Sequence, residues 1–299
     1  MRAGSTVNTM KKNRKLIFSI FVDFNKAGGD LQEYEPRHRL NVNNTLISYL
    51  HDQYAKKCGA DYKLVGYGKM FNELRDYLKK KKIYEGEYQS IQHFKFYLLE
   101  KFAEEYDEIV YFDSDVVPIT SENIFKEFDF SKGVLMHGFH DDTPTNSINL
   151  SLEGQLSYTP MPRSVSVKYA LMRVLCENKK VKPVIDRVLN TGIMGFTSQY
   201  IQDLNYIKSL PKTAKEINKA RTKKSTFFQK EIQEMFNMNN ESIVTYLISA
   251  SGIPFQSMDP DWHWVWNHRN SDEEICTHAK IVHIINKRFE KFFGIERVS

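Results

Sequence analysis

The chain has 299 residues, of which 41% are hydrophobic and 26% are charged, and its net charge is +5. This composition is typical of a folded globular protein and excludes a disordered chain. Because the charge excess is mild and aromatic RNA-binding signatures are absent, we expect no nucleic-acid partner.

The cysteines and the N-terminal residues bear on the location of the protein. Three widely spaced cysteines form neither a disulfide framework nor a Cys-x-x-Cys zinc pattern, which favours a reducing compartment. The apolar stretch from Leu16 to Val22 is short and lacks a cleavage site, so it is typical of a first strand. No apolar run approaches the roughly 18 residues of a membrane span. We predict a cytoplasmic protein with no transmembrane segment and at most peripheral membrane contact.

Strand and helix patterns alternate in the first half of the chain. Residues 1–14 predict a flexible tail, and residues 16–24 predict a buried strand. The patterns that follow predict, in chain order, a helix at 45–57, a strand at 62–65, helices at 68–83 and 91–106, and a strand from Ile109 onward. This alternation is the signature of a parallel α/β sheet.

The second half of the chain is less regular. A strand at 133–138 precedes a polar loop at 139–164, and a loop of that length is usually functional or disordered. The remaining patterns predict, in order, a helix at 165–177, a strand at 188–196 broken by Thr191-Gly192, helical residues at 198–237, a helix at 241–250 and a strand at 281–285. Internal repeats and a low-complexity linker are absent, so we predict one continuous domain.

Two carboxylates, Asp113 and Asp115, follow an apolar run that ends at Phe112, and Pro118 prevents a central strand from continuing. Side chains alternate across a strand, so the two carboxylates point the same way if the extended backbone persists. Such a pair is unfavourable unless a cation lies between its members, and a hard divalent metal is the natural occupant. The carboxyl end of a strand is also where open α/β sheets bind ligands.

An exposed turn is the competing interpretation of this triplet. Asp259-Pro260-Asp261 repeats the spacing with a central proline and no apolar run before it, so we predict a turn there. The buried strand before Asp113 distinguishes the first triplet from the second.

Two strand patterns contain further polar groups. Gly192 indicates close approach by another group, and Asn190 offers a donor and an acceptor, although a simple β-bulge explains the same residues. His283 lies in an apolar strand, where it is either a core residue or a neutral ligand beside the carboxylates. Lys287 follows it and could contact a phosphate.

All three tryptophans lie between Trp262 and Trp266. If this segment is extended, the indole rings share one face and His263 lies on the other. Such a face either stacks on sugars or packs in the core. His137, His140, Asp141 and Asp142 could form a metal cluster, but they precede a polar loop, so we interpret them as exposed surface residues.

Tyr111 to Asp115, Leu189 to Met194 and Ala279 to His283 occur in the order seen in GT-A fold glycosyltransferases. They resemble most closely the family 8 (glycogenin/galactosyltransferase) type. The resemblance implies a Rossmann-like α/β fold with a mostly parallel central sheet flanked by helices. It spans roughly residues 15–287 as spaced short motifs. We predict a single domain at 15–299, with a nucleotide-binding part at about 15–135 and a donor-sugar and acceptor part at about 136–299.

The resemblance implies a metal site and a nucleotide contact. Asp113 and Asp115 would bind Mn²⁺ or Mg²⁺, with His283 as the third ligand. Ser114 would lie against the nucleotide between the two carboxylates. Apart from the resemblance, Lys287 or Arg288 could add a cationic contact to the diphosphate.

The resemblance also assigns the residues that bind the sugar and the base. Asn190 and Gly192 would line the donor sugar, and Glu241 would lie near the acceptor or the donor sugar, which makes Asn190 and Glu241 candidate catalytic residues. Lys95 would contact the nucleotide sugar. The base would be bordered by the end of the first strand, from Phe21 to Asp23.

These observations predict a metal-dependent glycosyltransferase that moves a sugar from a UDP-sugar to a glycan or another hydroxyl acceptor. The resemblance implies retention at the anomeric carbon, and an inverting reaction with Glu241 or Asp142 as the base stays open. A two-metal nucleotidyltransferase or phosphohydrolase is one alternative. A non-catalytic glycan-binding module built on the tryptophans is the other.

Overall fold

A computed structural model describes residues 13–21, 37–138, 163–222, 233–266, 277–285 and 287–294. The predictions for Asp23, for His140, for most of the N-terminal tail and for nearly all of the polar loop lie outside the described residues. Asn13 and Arg14, at the end of the predicted tail, hydrogen-bond to Glu108 and Asp107.

The elements of the first half are β1 (Lys15–Ile20), α1 (Arg37–Cys58), β2 (Asp61–Val65), α2 (Lys69–Lys80), α3 (Glu87–Phe102), β3 (Glu108–Phe112), β4 (Val116–Pro118), α4 (Ile124–Glu127) and β5 (Val134–Gly138). Those of the second half are α5 (Arg163–Lys179), β6 (Leu189–Thr197), α6 (Ser198–Leu204), α7 (Tyr206–Thr222), α8 (Asn240–Ser251), β7 (Phe255–Ser257), β8 (Trp264–Trp266), β9 (Ile281–Ile284) and α9 (Phe289–Phe292). Short 3-10 turns span Phe130–Lys132 and Pro260–His263.

The central sheet has the strand order β2-β1-β3-β6-β5-β7. The pairs β1–β2, β1–β3 and β5–β7 are parallel, and β6 runs antiparallel to both β3 and β5. The predicted α/β fold, with a mostly parallel central sheet flanked by helices, is confirmed. Since β1, β2 and β3 are parallel, their carboxyl ends meet at one edge of the sheet, where ligands bind in such folds.

Alternation along the strands divides the core between the two faces of this sheet. Leu16, Phe18 and Ile20 of β1 pack on one face, together with buried residues of α2, α3, α5, α7 and α8. Ile17 packs on the opposite face, in a cluster that includes residues of α1, α4, β4 and β9. The central strands are therefore covered on both sides, which explains their continuous apolar sequences.

A second, smaller sheet has the order β4-β9-β8. β4 pairs antiparallel with β9, which places Val116 opposite His283, and β8 pairs parallel with β9, which places Val265 opposite His283. This register brings the residue just before β4, Asp115, next to the histidine that the sequence singles out. The site is therefore built where the small sheet meets the carboxyl edge of the central sheet.

The extended backbone that would make both carboxylates point the same way does not persist beyond β3. β3 ends at Phe112, Ser114 and Asp115 form a turn, and the Val116 N–H donates to the Asp113 carbonyl at 3.1 Å. Pro118 does not terminate β3, because it is the last residue of β4 in the other sheet. The chain changes sheets at the Asp-x-Asp triplet.

The interruption expected at Thr191-Gly192 is a β-bulge and not an end of the strand. β6 continues through both residues and pairs with β3, and the Asp113 N–H donates to the Gly192 carbonyl at 2.8 Å. The irregularity appears only on the β5 side, where the register shifts between Met136 and His137. Gly192 is therefore a strand residue at a β-bulge, held on one side by β3.

His51 of α1 links the two sheets. Its Nε2 lies 2.6 Å from the Val116 carbonyl and its Nδ1 lies 2.8 Å from the Ser19 hydroxyl. A carbonyl only accepts, so Nε2 carries the proton and Nδ1 accepts from Ser19. Because burial disfavours the charged imidazole, the pKa of His51 is lowered to about 4.

Lowering the pH from 7 to 5 should destabilise the protein through His51. The unfolded histidine takes up a proton near its ordinary pKa of about 6.5, whereas folded His51 stays neutral until about pH 4. Its contribution is complete above the unfolded pKa and is lost as the pH falls towards the folded pKa. Between pH 6.5 and 5 the free energy of unfolding should fall by about 2 kcal/mol through this residue.

Urea unfolding at pH 7, 6 and 5 measures this loss. The His51→Gln variant keeps an amide in place of the imidazole but does not titrate, so its free energy of unfolding should change less steeply with pH. Identical slopes for the variant and the parent protein would contradict the assignment to His51.

Candidate metal centre

Asp113, Asp115 and His283 come together at the carboxyl edge of the central sheet. Each offers one ligand atom, and these atoms all lie within 4.8 Å of one another. Asp113 follows β3, Asp115 precedes β4, and His283 belongs to β9, so the cluster depends on the meeting of both sheets. The structure therefore brings together the three residues that the sequence predicts as ligands.

Asp115 is a buried carboxylate with cationic partners. Its Oδ2 lies 3.4 Å from His283 Nε2 and also accepts a hydrogen bond from the Lys287 ammonium. Burial alone would raise the pKa of Asp115, but the charges and hydrogen bonds of Lys287 and His283 outweigh it and lower that pKa below its ordinary value. Asp115 is therefore ionised, with a lysine ammonium already bound to it.

Asp113 is the more exposed of the two carboxylates, with a side-chain exposure of 28% against 4% for Asp115. Its Oδ1 accepts from Lys95 Nζ at 3.2 Å and from the Tyr111 hydroxyl. Both donors come from the central sheet and α3, so a different set of residues orients each carboxylate. The open side of Asp113 leaves access for a ligand.

Lys95 is almost fully buried, with an exposed fraction of 1%. Besides Asp113, its ammonium donates to the Thr191 carbonyl at 3.3 Å and to Thr191 Oγ1 at 3.2 Å. Thr191 Oγ1 also accepts from Asn240 Nδ2 at 2.8 Å. An ammonium has three N–H groups, and these contacts use all three. In this arrangement Lys95 holds Asp113, and its contact with a nucleotide sugar stays a prediction.

Gly192 and Asn190 lie beside the histidine ligand. A Cβ added to Gly192 would be 2.3 Å from His283 Cε1 and 3.0 Å from Asn190 Oδ1. The close neighbour of this glycine is thus the imidazole of His283. The Asn190 Oδ1 accepts from the Gly192 N–H at 2.7 Å. The predicted contacts of Asn190 and Gly192 with a donor sugar stay predictions.

Glu241 lies at the start of α8, outside the cluster of three ligands. It is buried and forms an ion pair with Lys168 of α5, while Ser242 Oγ donates to the Lys168 carbonyl at 2.9 Å. Its neighbour Asn240 connects α8 to the Lys95 and Asp113 network through Thr191. The proposed catalytic role of Glu241 stays a prediction.

Phe21 and Ser114 lie at the same edge of the central sheet. The Phe21 N–H donates to the Val65 carbonyl at 2.9 Å, just beyond the ends of β1 and β2. Ser114 is half-buried in the turn between the two carboxylates. Their contacts with a nucleotide stay predictions.

A row of buried histidines lies behind His283, and sequence reasoning did not find it. His263 Nε2 lies 3.0 Å from His283 Nδ1, and the ring centroids are 5.2 Å apart. On its other side, the ring of His263 lies 5.3 Å from that of His137. The surface interpretation of His137 is wrong, since this residue is 3% exposed. Burial is the main cause that lowers the pKa of His263 well below its ordinary value, and the neighbouring imidazoles of His283 and His137 lower it further.

The tryptophans do not form the predicted common face. Trp262 lies in the 3-10 turn and is buried in one core cluster, whereas Trp266 lies in β8 and is buried in the other. Trp264 is half-buried. The 3-10 turn is capped by Asp259, whose side chain accepts from the Asp261 N–H, so the predicted turn at the second triplet is confirmed. Buried indoles cannot stack on a glycan.

The donor set of the cluster suits a divalent cation. Two carboxylate oxygens and one imidazole nitrogen match the preferences of Mn²⁺, and the oxygens alone match those of Mg²⁺. The Lys287 ammonium on Asp115 indicates that the site already stabilises positive charge. Asp113, Asp115 and His283 thus fit such an ion.

Among the described residues, no helix combines the length and apolar character needed to cross a bilayer.

Comparisons with known proteins give structural likenesses only. No protein-family model matches the sequence, and no curated relative matches it either. The structure is similar to that of mouse xyloside xylosyltransferase 1 in its apo form, with 13% identity, a TM-score of 0.46 and coverage of 91% of this chain and 98% of that one.

Two further solved structures are similar over most of their length. A glycosyltransferase involved in glycosylation of the major capsid of PBCV-1 has 11% identity and a TM-score of 0.45, covering 91% of this chain and 93% of that one. The galactosyltransferase LgtC, in complex with donor and acceptor sugar analogues, has 9% identity and a TM-score of 0.41. The match covers 91% of this chain and 87% of that one.

Replacing Gly192 with alanine should displace His283. The added methyl group would lie 2.3 Å from His283 Cε1, and the buried ring has little room to move. Overpacking of this kind lowers the free energy of unfolding by about 1–3 kcal/mol. Urea unfolding measures the loss, and Mn²⁺ binding should weaken at the same time.

Gly68→Ala is the matched control, because a Cβ added at Gly68 would have nothing within 4 Å of it and the φ of 179° is extended backbone. This variant should bind Mn²⁺ as the parent protein does. Equal behaviour of the two alanine variants would contradict the role assigned to Gly192.

Proposed function

We propose that the protein is a metal-dependent glycosyltransferase that transfers a sugar from a UDP-sugar to a glycan or another hydroxyl acceptor. The observation that carries this proposal is the convergence of Asp113, Asp115 and His283 with Lys287 at the carboxyl edge of parallel strands. The motif resemblance to GT-A fold glycosyltransferases supports the same activity. It points to the family 8 type and to a retaining reaction.

In this proposal, Asp113, Asp115 and His283 hold a Mn²⁺ or Mg²⁺ ion. A bound ion would supply positive charge that stabilises a departing nucleoside diphosphate. Asp115 and His283 are buried and contact each other at the small sheet, whereas Asp113 is partly open. The exposed side of Asp113 is therefore the side from which we expect the diphosphate to approach.

Lys287 is assigned to the diphosphate. Its ammonium contacts Asp115, so it lies beside the ligand cluster and carries a charge that phosphate oxygens attract. A divalent ion bound at Asp115 would weaken the attraction between that carboxylate and Lys287. The ammonium would then lie close enough to the cluster to contact a phosphate bound there.

Lys95 keeps Asp113 in place in this proposal. The buried ammonium holds one Asp113 oxygen and both oxygens of Thr191, and Asn240 fixes Thr191 from α8. This network ties the carboxylate to α8, whose second residue is the acidic Glu241. Asn190, Gly192 and Glu241 are assigned to the donor sugar and acceptor on the basis of the resemblance.

The alternative functions have less support. A two-metal enzyme needs further carboxylates to hold a second ion, and one group of three candidate ligands is found in the part of the chain that the structure describes. A glycan-binding module needs exposed indoles, and Trp262 and Trp266 are buried.

The proposal predicts that a nucleotide sugar raises the melting temperature in the presence of Mn²⁺, because a ligand of the native state stabilises it. A panel of nucleotide sugars, read by thermal unfolding and by release of nucleoside diphosphate, tests this. Asp113→Asn and Asp115→Asn should each lower metal-dependent turnover by more than about 100-fold, since even residues that only support a ligand contribute 10–100-fold.

Asp259→Asn is the matched control, since it alters the other Asp-x-Asp triplet at a turn where asparagine caps as well as aspartate. This variant should keep full turnover. Turnover that survives both substitutions in the first triplet would refute the proposal, as would the absence of any response across the panel.

A further inference from the structure

The strongest unassigned feature of the molecule is the hydrogen bond between two buried imidazoles. His263 Nε2 lies 3.0 Å from His283 Nδ1, and the two residues are 1% and 6% exposed. His283 Nε2 faces the carboxylates, at 3.4 Å from Asp115 Oδ2. Nε2 of His283 thus faces the ligand cluster. Within the part of the chain that the structure describes, Nδ1 hydrogen-bonds only to His263.

The chemistry of the pair fixes which nitrogen carries the proton when His283 acts as a ligand. A metal takes the lone pair of a neutral imidazole, so Nε2 must be unprotonated and Nδ1 must carry the hydrogen. That hydrogen then points at His263 Nε2, which must accept it. His263 Nδ1 has no partner in the described part of the protein, so no contact there enforces the opposite tautomer.

The backbone holds the acceptor rigidly. His263 ends a 3-10 turn that Asp259 caps, and β8 begins at the next residue and pairs with β9. The Lys280 N–H, just before β9, donates to the Asp261 carbonyl at 2.6 Å. Gly192 also lies against His283, since a Cβ added to it would be 2.3 Å from His283 Cε1. The imidazole is thus held between a glycine and a second histidine.

We propose that His263 is a positioning residue that sets the tautomer and ring orientation of His283 for cation binding. This inference rests on the metal site of the proposed function and extends it to a residue that touches neither the ion nor the substrate. Partners of this kind typically contribute 10–100-fold to metal affinity.

Two variants of similar length separate hydrogen bonding from packing. His263→Gln retains an amide oxygen that can accept from His283, whereas His263→Met fills the space without a comparable acceptor. Mn²⁺ alone is the probe, and the EPR signal of the free ion measures its dissociation constant. We expect His263→Met to weaken binding by about 10–100-fold and His263→Gln to stay within about threefold of the parent protein.

His93→Met is the matched control. His93 is equally buried and hydrogen-bonds to the Tyr206 hydroxyl at 3.0 Å, between α3 and the start of α7. Its loss removes a buried histidine hydrogen bond outside the ligand cluster. This variant should bind Mn²⁺ with the affinity of the parent protein, and thermal unfolding in EDTA shows which variants are folded.

The outcomes distinguish this inference from the proposed function. If the parent protein binds Mn²⁺ and the Asp115→Asn variant does not, the result supports the metal site. If His263→Met then binds like the parent, or if the Gln and Met variants weaken binding equally, the inference is overturned while the metal site stands. If the parent protein does not bind Mn²⁺, both are overturned.

Discussion

The burial of the Asp115 carboxylate is the constraint on which the site depends. A buried negative charge is strongly unfavourable unless cationic groups compensate it. Lys287 and His283 provide that compensation, and both reach Asp115 because β4 pairs with β9. The charge therefore requires two segments that are distant in sequence to meet beside the central sheet. The same arrangement leaves two carboxylates and an imidazole close enough to share a cation.

The two carboxylates are held by separate parts of the fold. Asp113 is oriented by Lys95 and Tyr111, which belong to the central sheet and its adjacent helix. Asp115 is oriented by residues at β9 and just after it, in the small sheet. A cation between them would couple these two parts, because it would replace repulsion between the carboxylates with attraction to a common centre. Metal binding should thus stabilise the junction of the sheets as well as prepare the site for a diphosphate.

Much of the fold was predictable from the sequence because its strands are short apolar runs and because helices such as α2 and α7 bury one apolar face. Asp113 could be placed at a strand end, and His283 within a buried strand, from local pattern alone. The turn at Ser114 could not be predicted, since it depends on the pairing of β4 with β9 across the chain. His263 was missed as a partner because the alternating tryptophans around it have the pattern of a strand. The capped 3-10 turn instead directs its ring towards His283.

The central claim is that Asp113, Asp115 and His283 bind one divalent cation that faces a nucleoside diphosphate. Crystals grown with Mn²⁺ and UDP, measured at the manganese absorption edge, test it directly. The account predicts an anomalous peak between the three side chains, with phosphate oxygens of UDP next to it and Lys287 moved from Asp115 to the diphosphate. Ordered UDP with no anomalous peak at this cluster, or with the ion bound by other residues, would contradict it.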